Sequence, residues 1–430
     1  MNISEIATAA KSASIGLAAI ETDIKNNTLA QIAKALSQRS TEIIAANQQD
    51  LAEAQKNNLA KPLLKRLKFD QGKIAQTIAG IDSLIELDDP AGRTLNAIEL
   101  DAGLELYKVS CPIGVIGVVF ESRPDALVQI STLCLKSGNA VLLKGGSEAA
   151  RTNRILAETI AEASEKAGLP KGWIQLLETR QDVARMLALD EYIDLVIPRG
   201  SNEFVRYIMD NTNIPVLGHA DGICHVYVAG DADIDMAVNI TVDSKCQYVA
   251  VCNAAETLLV DSAIAEQFLP KAKAALEQKD VELRGCEKTV SIIDVKPATD
   301  KDFSTEYLDY ILSIKIVDGL DAAIEHINRY GSKHTDAIVT AETSKAERFM
   351  ALVDSANVFV NCSTRFSDGF RYGLGAEVGI STNKIHARGP VGLEGLVIYK
   401  YKLLGTGQTV ADYSGSNAKN FSHRKLEIKR

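Results

Sequence analysis

The feature that most restricts the fold of this chain is a rhythm. From residue 113 to 228, short apolar runs at 114–120, 140–143, 174–177, 195–197 and 224–228 alternate with amphipathic stretches such as 151–167 and 203–211. Neighbouring parallel strands need a crossover of a dozen or more residues, so this alternation dictates a mostly parallel sheet covered by helices, with ligands expected at the carboxyl ends of its strands. Residues 243–360 repeat the pattern, with apolar runs at 256–260, 289–293, 311–317, 337–340 and 358–360. The chain therefore reads as α/β, with two Rossmann-like α/β domains joined near 230–245.

The flanks follow other rules. Residues 3–85 carry apolar positions at helical spacing, as in Leu29, Ile32, Ala33 and Leu36, and Ser40 is placed to cap one of these helices. Residues 94–100 and 104–109 flank the turn tripeptide Asp101-Ala102-Gly103, which suggests a β-hairpin able to pair through its edge with another subunit or within its own domain. Residues 396–404 read as one further strand before a polar, basic tail. With 46% hydrophobic and 24% charged residues the composition is that of an ordinary globular protein. The net charge of -9 argues against nucleic acid or an anionic membrane surface as the main partner, so a phosphate-bearing ligand must be held by local donors. Seven cysteines, an odd number with no C-x-x-C pair, fit neither a disulfide framework nor a zinc ribbon. With no secretory pattern and no apolar run near the ~20 residues of a membrane span, a cytoplasmic location is expected.

Several segments have residue types suited to chemistry. Leu142-Leu143-Lys144-Gly145-Gly146-Ser147-Glu148 lies between a strand and a helix, where Ser147 is placed to cap a helix start that attracts anions and Lys144 adds positive charge. Pro198-Arg199-Gly200-Ser201 has the same layout, but no G-x-G-x-x-G occurs, and either segment also reads as a plain strand-to-helix turn. Cys252 and Cys246 are candidate nucleophiles, although a lone cysteine is most often a small buried hydrophobe. The glycine-rich block 363–377 cannot be a regular element and suits an active-site loop, and His386-Ala387-Arg388-Gly389-Pro390 follows it. His219 and His225 read as packed or exposed histidines. No cluster of His, Cys, Asp and Glu has metal-ligand spacing along the chain, so no metal is expected.

These segments together resemble the glutamate-5-semialdehyde dehydrogenase (gamma-glutamyl phosphate reductase) family of the aldehyde dehydrogenase superfamily. The matching stretches include Pro112-Ile113-Gly114-Val115-Ile116-Gly117-Val118-Val119-Phe120-Glu121-Ser122-Arg123-Pro124, the 136–149 segment, Asp221-Gly222-Ile223-Cys224-His225, Cys252-Asn253-Ala254 and the 363–392 block. The resemblance implies an NADP-binding domain over 1–242 with an oligomerisation hairpin at 93–111, and a catalytic domain over 243–375. Residues 376–430 then return to the cofactor domain and supply an oligomerisation strand and tail. It implies reduction of L-glutamyl 5-phosphate by NADPH, with phosphate release, in proline biosynthesis. A homo-oligomer is implied, with glutamate 5-kinase as pathway neighbour. Cys252 matches the nucleophile, with Asn253 beside the oxyanion. Lys144, Gly145, Gly146, Ser147, Glu148, Ser201 and Glu377 match cofactor-binding positions. Ser122, Arg123, Arg365, His386 and Arg388 are the candidates for holding phosphate or the substrate carboxylate, since guanidinium groups pair with both. Hydrolytic aldehyde dehydrogenases carry E-L-G-G-K, whereas this chain reads Val216-Leu217-Gly218-His219-Ala220 with no carboxylate to activate water. The usual asparagine of the oxyanion site is also replaced within Glu121-Ser122-Arg123-Pro124, which leaves the Cys252 backbone N–H as the main donor. The rivals are a CoA- or water-dependent aldehyde dehydrogenase and a non-catalytic nucleotide-binding protein.

Overall fold

The computed structural model describes residues 2–178 and 181–428. Contacts divide them into two units: one comprises residues up to 200, 207–216 and those from 392 onward, the other 201–206 and 217–391.

The first unit opens with the expected helical layer, Ile3–Leu17, Thr22–Gln38, Ser40–Lys56, Lys61–Leu67 and Gln71–Glu86. Ser40 does not cap: Arg39 occupies that position without a side-chain bond, because the chain passes from one helix into the next through a single near-helical residue. The hairpin forms as read, with β1 (Thr94–Asp101) antiparallel to β2 (Leu104–Pro112). β3 (Val115–Phe120), β4 (Ala140–Gly145), β5 (Ile174–Leu177) and β6 (Leu195–Arg199) then build a parallel sheet in the order β5-β4-β3-β6. Every residue of β3 and β4 is buried, as a sheet covered on both faces requires.

The second unit holds a parallel sheet of β7 (Cys224–Val228), β8 (Ala255–Asp261), β9 (Glu282–Gly285), β10 (Lys296–Pro297), β11 (Ile311–Val317), β12 (Thr335–Val339) and β13 (Asn357–Val360), in the order β10-β9-β11-β8-β7-β12-β13 among the described residues. Period-two alternation fixes its two cores. Val226, Val228, Leu258, Val260, Ala337 and Val339 face a cluster containing Phe268 and Leu269 of helix Ala265–Glu277. Tyr227, Leu259 and Ile338 face the opposite cluster, with Ile324, Ile327 and Phe349. Burying one such large apolar side chain stabilises by about 1.5–3 kcal/mol.

Three sequence expectations change here. The run at 289–293 is not a strand but a short helix, Glu287–Val290, and its end; a short apolar run does not distinguish the two by periodicity. The domain break near 242 falls too late, because β7 pairs with β8 and β12 rather than with the first sheet. The return expected at 376 occurs at 392, because β14 (Gly379–Ser381) and β15 (Gly389–Val391) form a hairpin kept in the second unit. The chain ends in the first unit, where β16 (Val397–Leu404) pairs with β2 and β17 (Arg424–Lys425) with β1. No helix among the described residues is long and apolar enough to cross a membrane.

Candidate active site

Cys252 lies in the turn between helix Ile234–Cys246 and β8, three residues before that strand begins. This is the amino end of the strand, not the carboxyl end that parallel sheets usually devote to ligands. Strand order explains what surrounds it. β8, β7 and β12 are adjacent, so their amino ends bring Cys252 together with Cys224, the first residue of β7, and His334, which immediately precedes β12. Cys224 Sγ donates to the Cys252 carbonyl at 3.2 Å and lies 3.7 Å from His334 Nδ1. His219 stands edge-on to His334 with ring centroids 4.8 Å apart, and its Nδ1 is 2.8 Å from the Ile380 carbonyl.

The loop is clamped from both sides. Gly222 packs so closely that a Cβ there would fall 2.2 Å from the Cys252 carbonyl oxygen and 2.5 Å from its Cα. Asn253 Nδ2 donates to the Ser367 carbonyl at 2.7 Å, and Thr364 Oγ1 donates to the Asn253 carbonyl at 2.7 Å. The Asn253 amide thus braces the glycine-rich block, and the Cys252 N–H donates to no backbone acceptor among the described residues. Arg365, largely buried, donates through Nε to Gln247 at 3.0 Å. Burial and Arg371 push its guanidinium down, while the nearby sulfur of Cys252 pushes it up.

Burial pushes the thiols of Cys134, Cys224, Cys246 and Cys362 up, which disfavours their thiolate forms. Cys286, where bonds from Thr289 and nearby backbone outweigh burial and lower the pKa, follows the carboxyl end of β9, the opposite rim of the sheet. Cys252 is half-buried and keeps access to ligand. His225, by contrast, is fully buried, with Nδ1 2.8 Å from Asp336.

Sequence reasoning missed three members of this neighbourhood. His334 carries no local signal, and Gly222, although it lies in the matching stretch 221–225, has nothing in its sequence that marks it as a contact of Cys252. Glu306, raised by burial, is held by Asn202 and by the Gly222 N–H, with His219 nearby. Arg388, expected as an anion clamp, is instead paired with Asp354 at 3.1 Å and donates to its carbonyl. His386 is half-buried in the loop before β15. Glu377 accepts from the Gly369 N–H at 2.8 Å and so braces the glycine-rich block.

In the first unit, the carboxyl ends of β3, β4 and β6 set Ser122, Lys144 and Arg199 along one rim. Lys144 is buried with Nζ on the Gly145 carbonyl. Cβ atoms at Gly145 and Gly146 would meet the side-chain ends of Asn153 and Glu148 at 2.1 and 2.0 Å, so a larger residue in this turn would have to displace them. Ser147 is exposed and does not cap. The helix Ala150–Lys166 is capped by Asp50, whose Oδ2 accepts from the Thr152 N–H at 2.8 Å and hydroxyl at 2.7 Å. Glu148 accepts from the Ser122 N–H at 2.6 Å and hydroxyl at 2.7 Å. Arg123 pairs with Asp125 at 3.4 Å, and exposed Ser201 belongs to the other unit. The rim thus offers a cation, Lys144, while the helix N-terminus is already taken by a carboxylate.

The aldehyde dehydrogenase family model matches residues 2–292. Gamma-glutamyl phosphate reductase of Pelotomaculum thermopropionicum is 67% identical over 99% of this chain and 98% of its own length, and that of Acetivibrio thermocellus is 66% identical over 99% of each. The crystal structure of gamma-glutamyl phosphate reductase from Thermotoga maritima, 41% identical, superposes with a TM-score of 0.92 over 94% of this chain and 99% of that one. This chain belongs to the aldehyde dehydrogenase family, among the gamma-glutamyl phosphate reductases. As in that family at large, a nicotinamide cofactor and a small-molecule substrate follow. Val216 is bridged in parallel to Val196 of β6.

Proposed function

We propose that the chain reduces L-glutamyl 5-phosphate to L-glutamate 5-semialdehyde with NADPH, in the cytoplasm, as a homo-oligomer whose pathway neighbour is glutamate 5-kinase. The observation that carries this reading is Cys252: half-buried, locked by Gly222 and Asn253, beside the Arg365 guanidinium, in a chain so similar to reductases of that name.

The sulfur of Cys252 attacks the acyl phosphate carbon, the carbon–oxygen bond to phosphate breaks, and the phosphate leaves with its electron pair. The Cys252 N–H faces the oxygen on which charge develops; such a donor contributes roughly 10²–10³ in rate. Arg365 supplies a guanidinium for phosphate or the substrate carboxylate. No carboxylate occupies Val216, where the resemblance puts the water-activating glutamate of hydrolytic relatives, so that route to hydrolysis of the resulting thioester is missing. NADPH, when bound, supplies the hydride that reduces this thioester, after which the carbon–sulfur bond breaks and Cys252 is regenerated. Lys144 suits the 2′-phosphate of that cofactor as a buried cation in a turn without Cβ atoms, and Gly145, Gly146, Ser147, Glu148, Ser201 and Glu377 remain its proposed neighbours. The test is phosphate-dependent NADP reduction by glutamate 5-semialdehyde. Cys252→Ala is expected to abolish it, and a variant retaining wild-type turnover would overturn the mechanism.

A further inference from the structure

We propose that His219, Cys252 and His334 form a binding site for a thiophilic divalent cation of the zinc class, and that this ion holds the nucleophile in an inactive form. The second half rests on the role of Cys252 above; the first does not.

Positions far apart in sequence converge here. One ligand atom from each of the three side chains lies within 4.8 Å of the other two. Zinc bonds of about 2.0–2.3 Å in a tetrahedral site set ligand atoms roughly 3.3–3.8 Å apart, so closure needs about 1 Å of side-chain rotation. Cys252 and His219 are half-buried, and rotation about the Cα–Cβ bond of Cys252 moves its sulfur by that much.

A second observation points to a ligand. His334 is fully buried, and its Nε2 has no hydrogen-bond partner in the structure. An unsatisfied buried polar atom is costly, and a bound cation removes that cost. Its Nδ1 is meanwhile fixed 2.8 Å from Thr335 Oγ1, and His219 Nδ1 is fixed on Ile380. Metal-bound imidazoles characteristically use the remote ring nitrogen in this manner, to set tautomer and orientation.

The donor set defines the ion. Two imidazoles and one thiolate suit zinc, cobalt, nickel and copper and offer nothing to magnesium or calcium, which take oxygen ligands. Three protein ligands leave a fourth position for water. Binding exchanges the Cys252 proton for the metal, releases that proton, and engages the sulfur lone pair that otherwise attacks the acyl carbon. The ion is thus a reversible inhibitor, removed by chelation.

The experiment uses the full chain stripped with a chelator and titrated with Co²⁺ as a spectroscopic probe, then with Zn²⁺. One equivalent of Co²⁺ is expected to produce thiolate-to-cobalt charge-transfer absorption, which is lost in Cys252→Ala and retained in Cys224→Ala. His219→Gln, at a half-buried position, is expected to weaken binding at least tenfold. One equivalent of Zn²⁺ is expected to block iodoacetamide labelling of Cys252, read by peptide mass, and EDTA to restore it; millimolar Mg²⁺ is expected to do neither. Charge-transfer absorption that survives Cys252→Ala, unchanged affinity in His219→Gln, or labelling indifferent to Zn²⁺ would each overturn the site. Because absorption and labelling are read without substrate, failure of the metal site and failure of the proposed reaction are separable.

Discussion

Gly222→Ala adds one methyl group hard against the backbone of Cys252, the proposed nucleophile. The new Cβ would lie 2.2 Å from the Cys252 carbonyl oxygen, 2.5 Å from its Cα and 2.6 Å from its Cβ. Carbon atoms in contact normally sit about 3.5–4.0 Å apart, so one of the two segments must retreat by roughly 1 Å. All three obstacles belong to the backbone or its first side-chain atom, and the loop is tied on its other side to Ser367 and Thr364, so no flexible tip absorbs the shift. A reacting group misplaced by about 1 Å loses on the order of 10²-fold in rate. Overpacking costs about 1–3 kcal/mol of stability. The expected result is therefore a folded protein with a lowered melting temperature, kcat/KM reduced about 100-fold for phosphate-dependent oxidation of glutamate 5-semialdehyde, and slowed iodoacetamide labelling of Cys252. Gly80→Ala is the matched control, because a Cβ there meets nothing within 4 Å inside helix Gln71–Glu86. It should gain about 0.5–1 kcal/mol of stability with unchanged turnover. A folded Gly222→Ala protein working within threefold of wild type would refute the claim that this glycine sets the position of the sulfur.

Asp50→Ala should cost about 2 kcal/mol in urea unfolding, because it uncaps helix Ala150–Lys166 and leaves the buried Thr152 N–H and hydroxyl without their acceptor. Burial opposes ionisation of Asp302, but bonds from Thr299 and Arg284 outweigh it and hold its carboxyl well below the usual carboxylate range. Its contribution is therefore present above the unfolded value of about 3.9 and is lost as pH falls below it, so Asp302→Asn should cost about 2 kcal/mol at neutral pH and progressively less in acid. Lys144→Met should raise the KM for NADPH about tenfold or more, with little change in kcat or in the KM for NADH, as measured by initial rates.

How much of this was legible in the sequence depends on whether a feature is local. The hairpin around Asp101-Ala102-Gly103 and most strand positions follow from turn chemistry and apolar runs, and they appear where the pattern puts them. Sheet membership does not: β7 has the same apolar character in either sheet, and only its pairing with β8 and β12 assigns it. The cap at Ala150–Lys166 was misread because the serine next to it is exposed and the real cap lies 102 residues earlier in the chain. Cys252 was found through resemblance, since nothing in Val251-Cys252-Asn253 separates it from a packed thiol. His219 and His334 were invisible as partners of that sulfur, because the juxtaposition arises from strand order and not from spacing along the chain. Arg388 stands out by its charge, but its pairing with Asp354, a carboxylate that also meets Lys384 and Lys333, depends on contacts no local pattern shows.

The position of Cys252, the proposed nucleophile, on the second sheet divides its rims into two kinds of terrain. At the amino rim, the ends of three adjacent strands converge, and even a methyl group at Gly222 is an intrusion. The carboxyl rim bears turns such as Asp318-Gly319, where Gly319 has a φ of 89° and a Cβ would touch nothing within 4 Å. Inserted segments, tags or grafted peptides belong on that second rim, where the strands transmit nothing to the sulfur beyond the support of the hydrophobic layers between.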